Sequence, residues 1–178
     1  MTQSKETIVS ISMVKLNIYL LILTIAMILG VGFLHVFLFK ELNLTITLPI
    51  MIFLIVAMIV LICIHEALHL IGFRYIGGVP WSELAWGINL KLGVAYAHSK
   101  KPITVEHMKK ALLLPLVPTG ILPLVIGVVL NFPALSFLGV LLTAGCIGDL
   151  VLYQKLLKFP NDAMVIDHPS KPQFTVYE

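Results

Sequence analysis

Apolar residues run almost unbroken through four stretches of the chain, residues 14–39, 46–74, 111–130 and 134–157. Each is close to or longer than the roughly 20 positions a helix needs to cross a bilayer. The third contains Pro115, Pro118 and Pro123, which remove backbone donors, so that helix is expected to kink or break. Between the second and third stretches the period changes. Leu84, Trp86, Ile88, Leu90, Leu92, Val94 and Tyr96 alternate with Ala85, Gly87, Asn89, Lys91, Gly93, Ala95 and Ala97, a period of two that predicts one long strand or a hairpin bent near Asn89 to Lys91. Open strand edges are not tolerated against lipid, so this element must pack on the helices, lie at the interface or line a wet cavity. Thr104 is an expected N-cap with Glu106 in the first turn, opening a short amphipathic helix that runs into the third span. The end of the chain, with Pro160, Asp162, Asp167, Pro169, Ser170 and Pro172, is polar and turn-rich, with Phe174 to Tyr177 as a possible strand.

These elements predict an all-α polytopic membrane protein with about four transmembrane helices and a small β element between helices 2 and 3. Residues 1–159 would form one membrane-embedded domain and residues 160–178 a short cytoplasmic tail. Composition agrees: of 178 residues 59% are hydrophobic and 12% charged, against about 25% charged in a soluble domain. The spans leave no room for a separate soluble domain. The first apolar run is too long for a cleaved signal peptide and is expected to persist as a helix.

Net charge is +3, and the basic residues sit between the spans rather than in one patch, which argues against a nucleic-acid site. Lys91, Lys100, Lys101, Lys109 and Lys110 lie between spans two and three with Arg74 at the edge, whereas the connection between spans three and four has no Lys or Arg. The positive-inside rule therefore predicts both termini in the cytoplasm. Cys63 and Cys146 both fall inside spans and say nothing about redox compartment.

The second span ends with three ionisable groups, in Leu61-Ile-Cys-Ile-His65-Glu66-Ala-Leu-His69. His65 and His69 are four residues apart, so on a helix their imidazoles share a face about one turn apart and can hold one metal ion. In a zinc hydrolase the carboxylate after the first histidine, here Glu66, takes a proton from the metal-activated water. Each charged group near the middle of a span costs roughly 2.5 to 3.5 kcal/mol, so ionisable residues there are functional by default. The structural alternative is a neutral histidine pair packed in a bundle, with Glu66 bonded to a neighbouring helix.

A catalytic zinc usually takes three protein ligands and a water. Asp149 is the other carboxylate within a span. It precedes Lys158 by as many residues as His65 precedes Arg74, which puts both roughly 13 Å above their basic markers at 1.5 Å per residue. Ala144, Gly145 and Gly148 are expected to let span four approach span two closely. His98, at the end of the alternating stretch, competes with Asp149 as third ligand. Cys146 is expected to be a small residue in a helix contact rather than a ligand. Tyr153 fits either an oxyanion donor or an interfacial tyrosine. His35, His107 and His168 have no evident partner in the sequence.

His65-Glu-Ala-Leu-His69, Tyr96-Ala-His-Ser99, Leu114-Pro-Leu-Val-Pro118, Gly148-Asp149 and Asp162-Ala-Met-Val-Ile-Asp167 together resemble the bacterial multi-pass zincin peptidase family, whose function is uncharacterised. The resemblance covers the chain from about Ile62 onward. It implies that His65 and His69 are metal ligands and Glu66 the catalytic carboxylate. The chain is more distantly similar to site-2-type intramembrane metalloproteases, which take a third ligand from an Asp in a later helix. That Asp is normally followed by Gly, whereas Asp149 is preceded by Gly148 and followed by Leu150.

The expectation is a zinc-dependent, membrane-embedded metallopeptidase of the HExxH type. Zn2+ would be held by His65, His69 and Asp149, Glu66 would be the general base, and the substrate would be a membrane protein or peptide at or within the lipid bilayer. The extended stretch could pair with an unwound substrate by strand addition, or simply seal the cytoplasmic mouth of the site. The alternative is a non-catalytic, zinc-stabilised membrane binding or assembly module. An ion pathway is weaker, because few carboxylates are available and no internal repeat is present.

Overall fold

The computed structural model describes residues 5–89, 94–168 and 173–178. Four helical stretches are long and apolar enough to cross a membrane: Met13–Phe39, Leu48–Tyr75, Val105–Val129 and Pro133–Leu156. The first two are single helices, α1 (Met13–Phe39) and α2 (Leu48–Tyr75). They are apolar over most of their length, with His65, Glu66, His69 and Arg74 gathered toward the end of α2, and α1 exposes large side chains such as Phe33 and Leu29, at 72% and 68%. A helix with no polar face is suited to lipid rather than water. α1 ends where Lys40 takes a positive φ of 64° and its N–H bonds the Val36 carbonyl, a left-handed helix stop.

The third stretch is broken, as its prolines predict. α3 (Val105–Leu113) is followed by a wide π turn at Leu116–Ile121 and then α4 (Leu122–Val129). Pro118 lies in the wide turn and Pro123 in the first turn of α4, where a missing N–H costs least. The Thr104 hydroxyl accepts from the His107 N–H at 3.2 Å, the expected cap of α3. The fourth stretch is also divided, into α5 (Pro133–Gly145) and α6 (Ile147–Leu156), with Cys146 between them.

The alternating stretch forms a hairpin, β2 (Leu84–Asn89) paired antiparallel with β3 (Val94–Ser99) in the register Trp86↔Ala97 and Ile88↔Ala95. Of the bend expected near Asn89 to Lys91, Asn89 ends β2, while Leu90 and Lys91, with Leu92 and Gly93, lie outside the described residues, as do Pro169, Ser170, Lys171 and Pro172 of the tail. A second, four-stranded antiparallel sheet was not expected as a unit. It joins β1 (Glu6–Ser10), β4 (Ile103–Thr104), β5 (Met164–Asp167) and β6 (Gln173–Tyr177) in the order β1-β6-β5-β4. Only its Phe174 to Tyr177 segment was legible as a strand. The fold is therefore mostly helical with two small sheets, rather than all-α with one β element.

The described chain divides into two compact units. One comprises Met1–Met13, Glu66–Pro115 and Gly148–Glu178, the other Val14–His65 and Leu116–Ile147. The first holds both sheets, and its core gathers Phe73, Val105, Met108, Leu156, Val165, Phe174 and Val176. In the second, α4 and α5 pack backbone to backbone. A Cβ on Gly127 would collide with the Ser136 backbone, and one on Gly139 with Leu124. Of Ala144, Gly145 and Gly148, expected to allow a close helix contact, Ala144 is buried, whereas Gly145 and Gly148 have nothing within 4 Å of where a Cβ would stand. The close approaches are instead at Gly127, Gly139, Gly120 and Gly72.

Candidate metal centre

His65, Glu66 and His69 all lie on the continuous helix α2, so the two imidazoles sit on one face a turn apart. In the first unit His69 is 6% exposed, and its Nδ1 is 3.0 Å from the Ala111 carbonyl oxygen of α3. A carbonyl can only accept, so Nδ1 carries the proton, and in the neutral ring Nε2 is the nitrogen that holds the lone pair a metal needs. That Nε2 is 3.5 Å from Oδ1 of Asp149 in α6. The close approach at Gly72, one turn beyond His69, brings Ala111 into range: a Cβ on Gly72 would be 2.9 Å from the Ala111 Cβ.

In the second unit the His65 Nδ1 is 3.2 Å from the Thr119 hydroxyl, which is carried by the π turn. If Nδ1–H donates to that oxygen, the neutral His65 ring carries its lone pair on Nε2. Both histidines thus have the supporting contact typical of metal ligands, in which the second ring nitrogen is fixed by an oxygen. Thr119 is 1% exposed, and nothing in the sequence marked it beyond its place between Pro118 and Gly120. The Cys146 thiol is 3.8 Å from His65 Nδ1 and 3.3 Å from the Leu142 carbonyl. Cys146 is therefore beside the motif rather than only filling a helix contact.

The donors fit zinc. A separation of 3.5 Å between His69 and Asp149 exceeds the 2.7–2.9 Å of a strong charge-assisted hydrogen bond. Two donors about 2.0–2.2 Å from one tetrahedral ion stand roughly 3.4 Å apart, which this pair matches. Imidazole and carboxylate are also the donor types that zinc accepts.

The other expected candidates are placed differently. The His98 ring stacks on Tyr96 with centroids 5.9 Å apart, and its Nδ1 has no hydrogen-bond partner among the described residues. Burial, reinforced by the positive charge of Lys100, lowers its pKa and favours the neutral ring. Tyr153 packs half-buried against the core of the first unit. His35 was assigned no partner, yet it is fully buried, with Nε2 2.9 Å from the Ser136 hydroxyl and Nδ1 3.3 Å from Asn131 Oδ1.

Asp167 was read only as part of the tail. It ends β5, and burial raises its carboxyl to about 7, offset partly by the His168 backbone N–H and by His69, with Asp149 adding to the rise. Its electrostatic neighbours place it in the surroundings of the His69–Asp149 pair. Sequence pattern could not reveal this, because the neighbourhood depends on how β5 joins the sheet.

A family model described as "Putative zincin peptidase" matches residues 58–164, more than half of the chain. The chain belongs to that family. The matched segment of this zincin peptidase family member contains the His65 to His69 motif, the hairpin, the third and fourth spans and Asp149. A protein of Pyrococcus woesei described as an uncharacterized 24.7 kDa protein in the gap 5' region is 25% identical over 118 residues. That alignment covers 65% of this chain and 51% of the relative, so the chain spans about half the length of the curated relative it matches. No solved structure matches the chain significantly.

Proposed function

We propose that the chain is a zinc-dependent, membrane-embedded peptidase that hydrolyses peptide bonds of a membrane-associated or intramembrane substrate. The observation that carries this reading is the His69 imidazole, fixed by the Ala111 carbonyl on one nitrogen and 3.5 Å from Asp149 on the other. Membership of the zincin peptidase family and the His65-Glu66-x-x-His69 order support it. His65, His69 and Asp149 would hold the ion. Bound there, zinc supplies Lewis acidity toward water and the scissile carbonyl. Glu66 takes a proton from the attacking water and returns it to the leaving amine. Ala111 and Thr119 keep the two rings oriented, so little reorganisation is needed when charge develops. Both termini would be cytoplasmic, and an unwound substrate segment would pair with the extended stretch by strand addition.

The test compares membrane proteomes of cells carrying wild type and Glu66→Gln. The variant should retain the metal stoichiometry of wild type while substrate fragments disappear. Identical fragment patterns would sink the catalytic reading.

A second reading, a non-catalytic zinc-stabilised assembly module, is favoured by Cys146. The Cys146 thiol lies 3.8 Å from His65 Nδ1, and a thiolate added to the two histidines and Asp149 would give zinc four protein ligands, the closed set typical of structural sites. Under this reading Cys146→Ser weakens zinc binding. Under the catalytic one it leaves zinc content unchanged.

A further inference from the structure

The hairpin carries an apolar face that is left uncovered among the described residues. Trp86 is 72% exposed and Ile88 64% exposed, and being two residues apart they point the same way from β2. Their cross-strand partners are Ala97 and Ala95, too small to screen them. Large apolar side chains left side by side in water are unfavourable, so this face favours a cover.

The root of the hairpin identifies what covers it. α2 ends at Tyr75, and the following turn folds back on the helix end, with Gly77 N–H bonding the Gly72 carbonyl at 3.1 Å and Val79 N–H the Phe73 carbonyl at 3.0 Å. Trp81 then meets the Tyr75 ring edge-on at 6.4 Å, with exposures of 53% and 73%. The Arg74 guanidinium lies 5.8 Å from the Tyr75 ring centre. Lys100 and Lys101 are exposed where the second strand leaves. Tryptophan, tyrosine and arginine at the end of a span are the pattern of the membrane–water boundary, and lysines beside an apolar face complement anionic headgroups. The hairpin starts at that level, continuous with the lipid-facing end of α2.

We propose that the Trp86–Ile88 face of the β2–β3 hairpin beds in the headgroup–acyl boundary of the same bilayer that the helices cross. The hairpin is then a monotopic anchor beside the spans, with Trp81 and Tyr75 at its root and Lys100 and Lys101 toward the phosphates. This rests on the membrane-spanning helices and not on peptidase activity.

The protein contains two tryptophans, so Trp81→Phe leaves Trp86 as the sole emitter. Full-length W81F is reconstituted in vesicles of phosphatidylcholine and phosphatidylglycerol, with and without lipids brominated at shallow acyl positions. The expected result is blue-shifted Trp86 emission, most of it lost to the brominated lipid and little to aqueous acrylamide. Red, acrylamide-quenched emission would overturn the proposal. So would blue emission that neither quencher reaches, which is the result for a face covered by a second copy or another protein. If W81F cannot be recovered, subtracting the emission of W86F from that of wild type isolates the same signal.

Discussion

Gly72 of α2 meets Ala111 of α3 backbone to backbone: a Cβ at Gly72 would come within 2.9 Å of the Ala111 Cβ and 3.0 Å of its Cα. This contact lies three residues beyond His69, whose Nδ1 bonds the Ala111 carbonyl. Gly72→Ala must therefore move α3 away from α2, because the obstacle includes backbone. Overpacking of this kind costs about 1–3 kcal/mol. Loss of the supporting bond to a metal-ligating histidine weakens metal affinity about 10–100-fold. Zinc competition titration of G72A in detergent should show that weakening together with a lower Tm. An unchanged zinc affinity would mean that the Ala111 carbonyl does not orient His69.

The third ligand is decided by metal content rather than activity. Asp149 is 3.5 Å from His69 Nε2, whereas the His98 ring is engaged with Tyr96. Asp149→Ala should lower zinc per chain well below that of wild type by elemental analysis, and His98→Ala should not. The reverse pattern would transfer the ligand role to His98.

Much of this arrangement was legible in the sequence, and the exceptions have physical causes. Unbroken apolar runs marked α1 and α2, because a helix in lipid needs no polar face. Strict alternation from Leu84 to Tyr96 marked extended structure, with one long strand and a hairpin both open, and Thr104 with Glu106 marked the start of α3. The four-stranded sheet was obscured because β4 is two residues long and β1 and β6 come from opposite ends of the chain. No periodicity within a short window signals such a pairing. Close helix contacts were expected at Gly145 and Gly148 but occur at Gly72, Gly120, Gly127 and Gly139. Small residues permit close approach, and only the partner's position decides which are used. The spacing of His65, Glu66 and His69 marked a candidate metal site, whereas the Thr119 hydroxyl and the Ala111 carbonyl that lie against the two rings carry no motif.

Asp167 makes the stability of the metal-free protein depend on pH. Its carboxyl is raised from an ordinary 3.8 to about 7, chiefly by burial. The folded state therefore holds a proton that the unfolded state releases, and stability is highest below the unfolded value and falls as pH rises through the folded one. A shift of that size is worth on the order of 4 kcal/mol at most. With chelator present, Tm should drop as pH rises from about 4 to about 7, and Asp167→Asn should remove most of that drop. A D167N profile as steep as that of wild type would assign the dependence to other groups.

His35 should act as a stabilising clamp in the second unit. It sits fully buried on α1 and reaches the Ser136 hydroxyl of α5 at 2.9 Å and Asn131 Oδ1, in the turn before α5, at 3.3 Å. Asn131 holds a φ of 46°, a conformation asparagine tolerates better than most residues, and this turns its amide toward the ring. Removing the imidazole leaves a fully buried hydroxyl with only a 3.4 Å contact to the Phe132 carbonyl, as well as a cavity. His35→Ala should destabilise by about 2–4 kcal/mol. Ser136→Ala should cost less, because it removes the hydroxyl that would otherwise be stranded. A double-mutant cycle measured by unfolding in mild detergent should give a coupling above about 0.5 kcal/mol, since the two groups share one bond. Additive effects would show that α1 is held to α5 by packing alone.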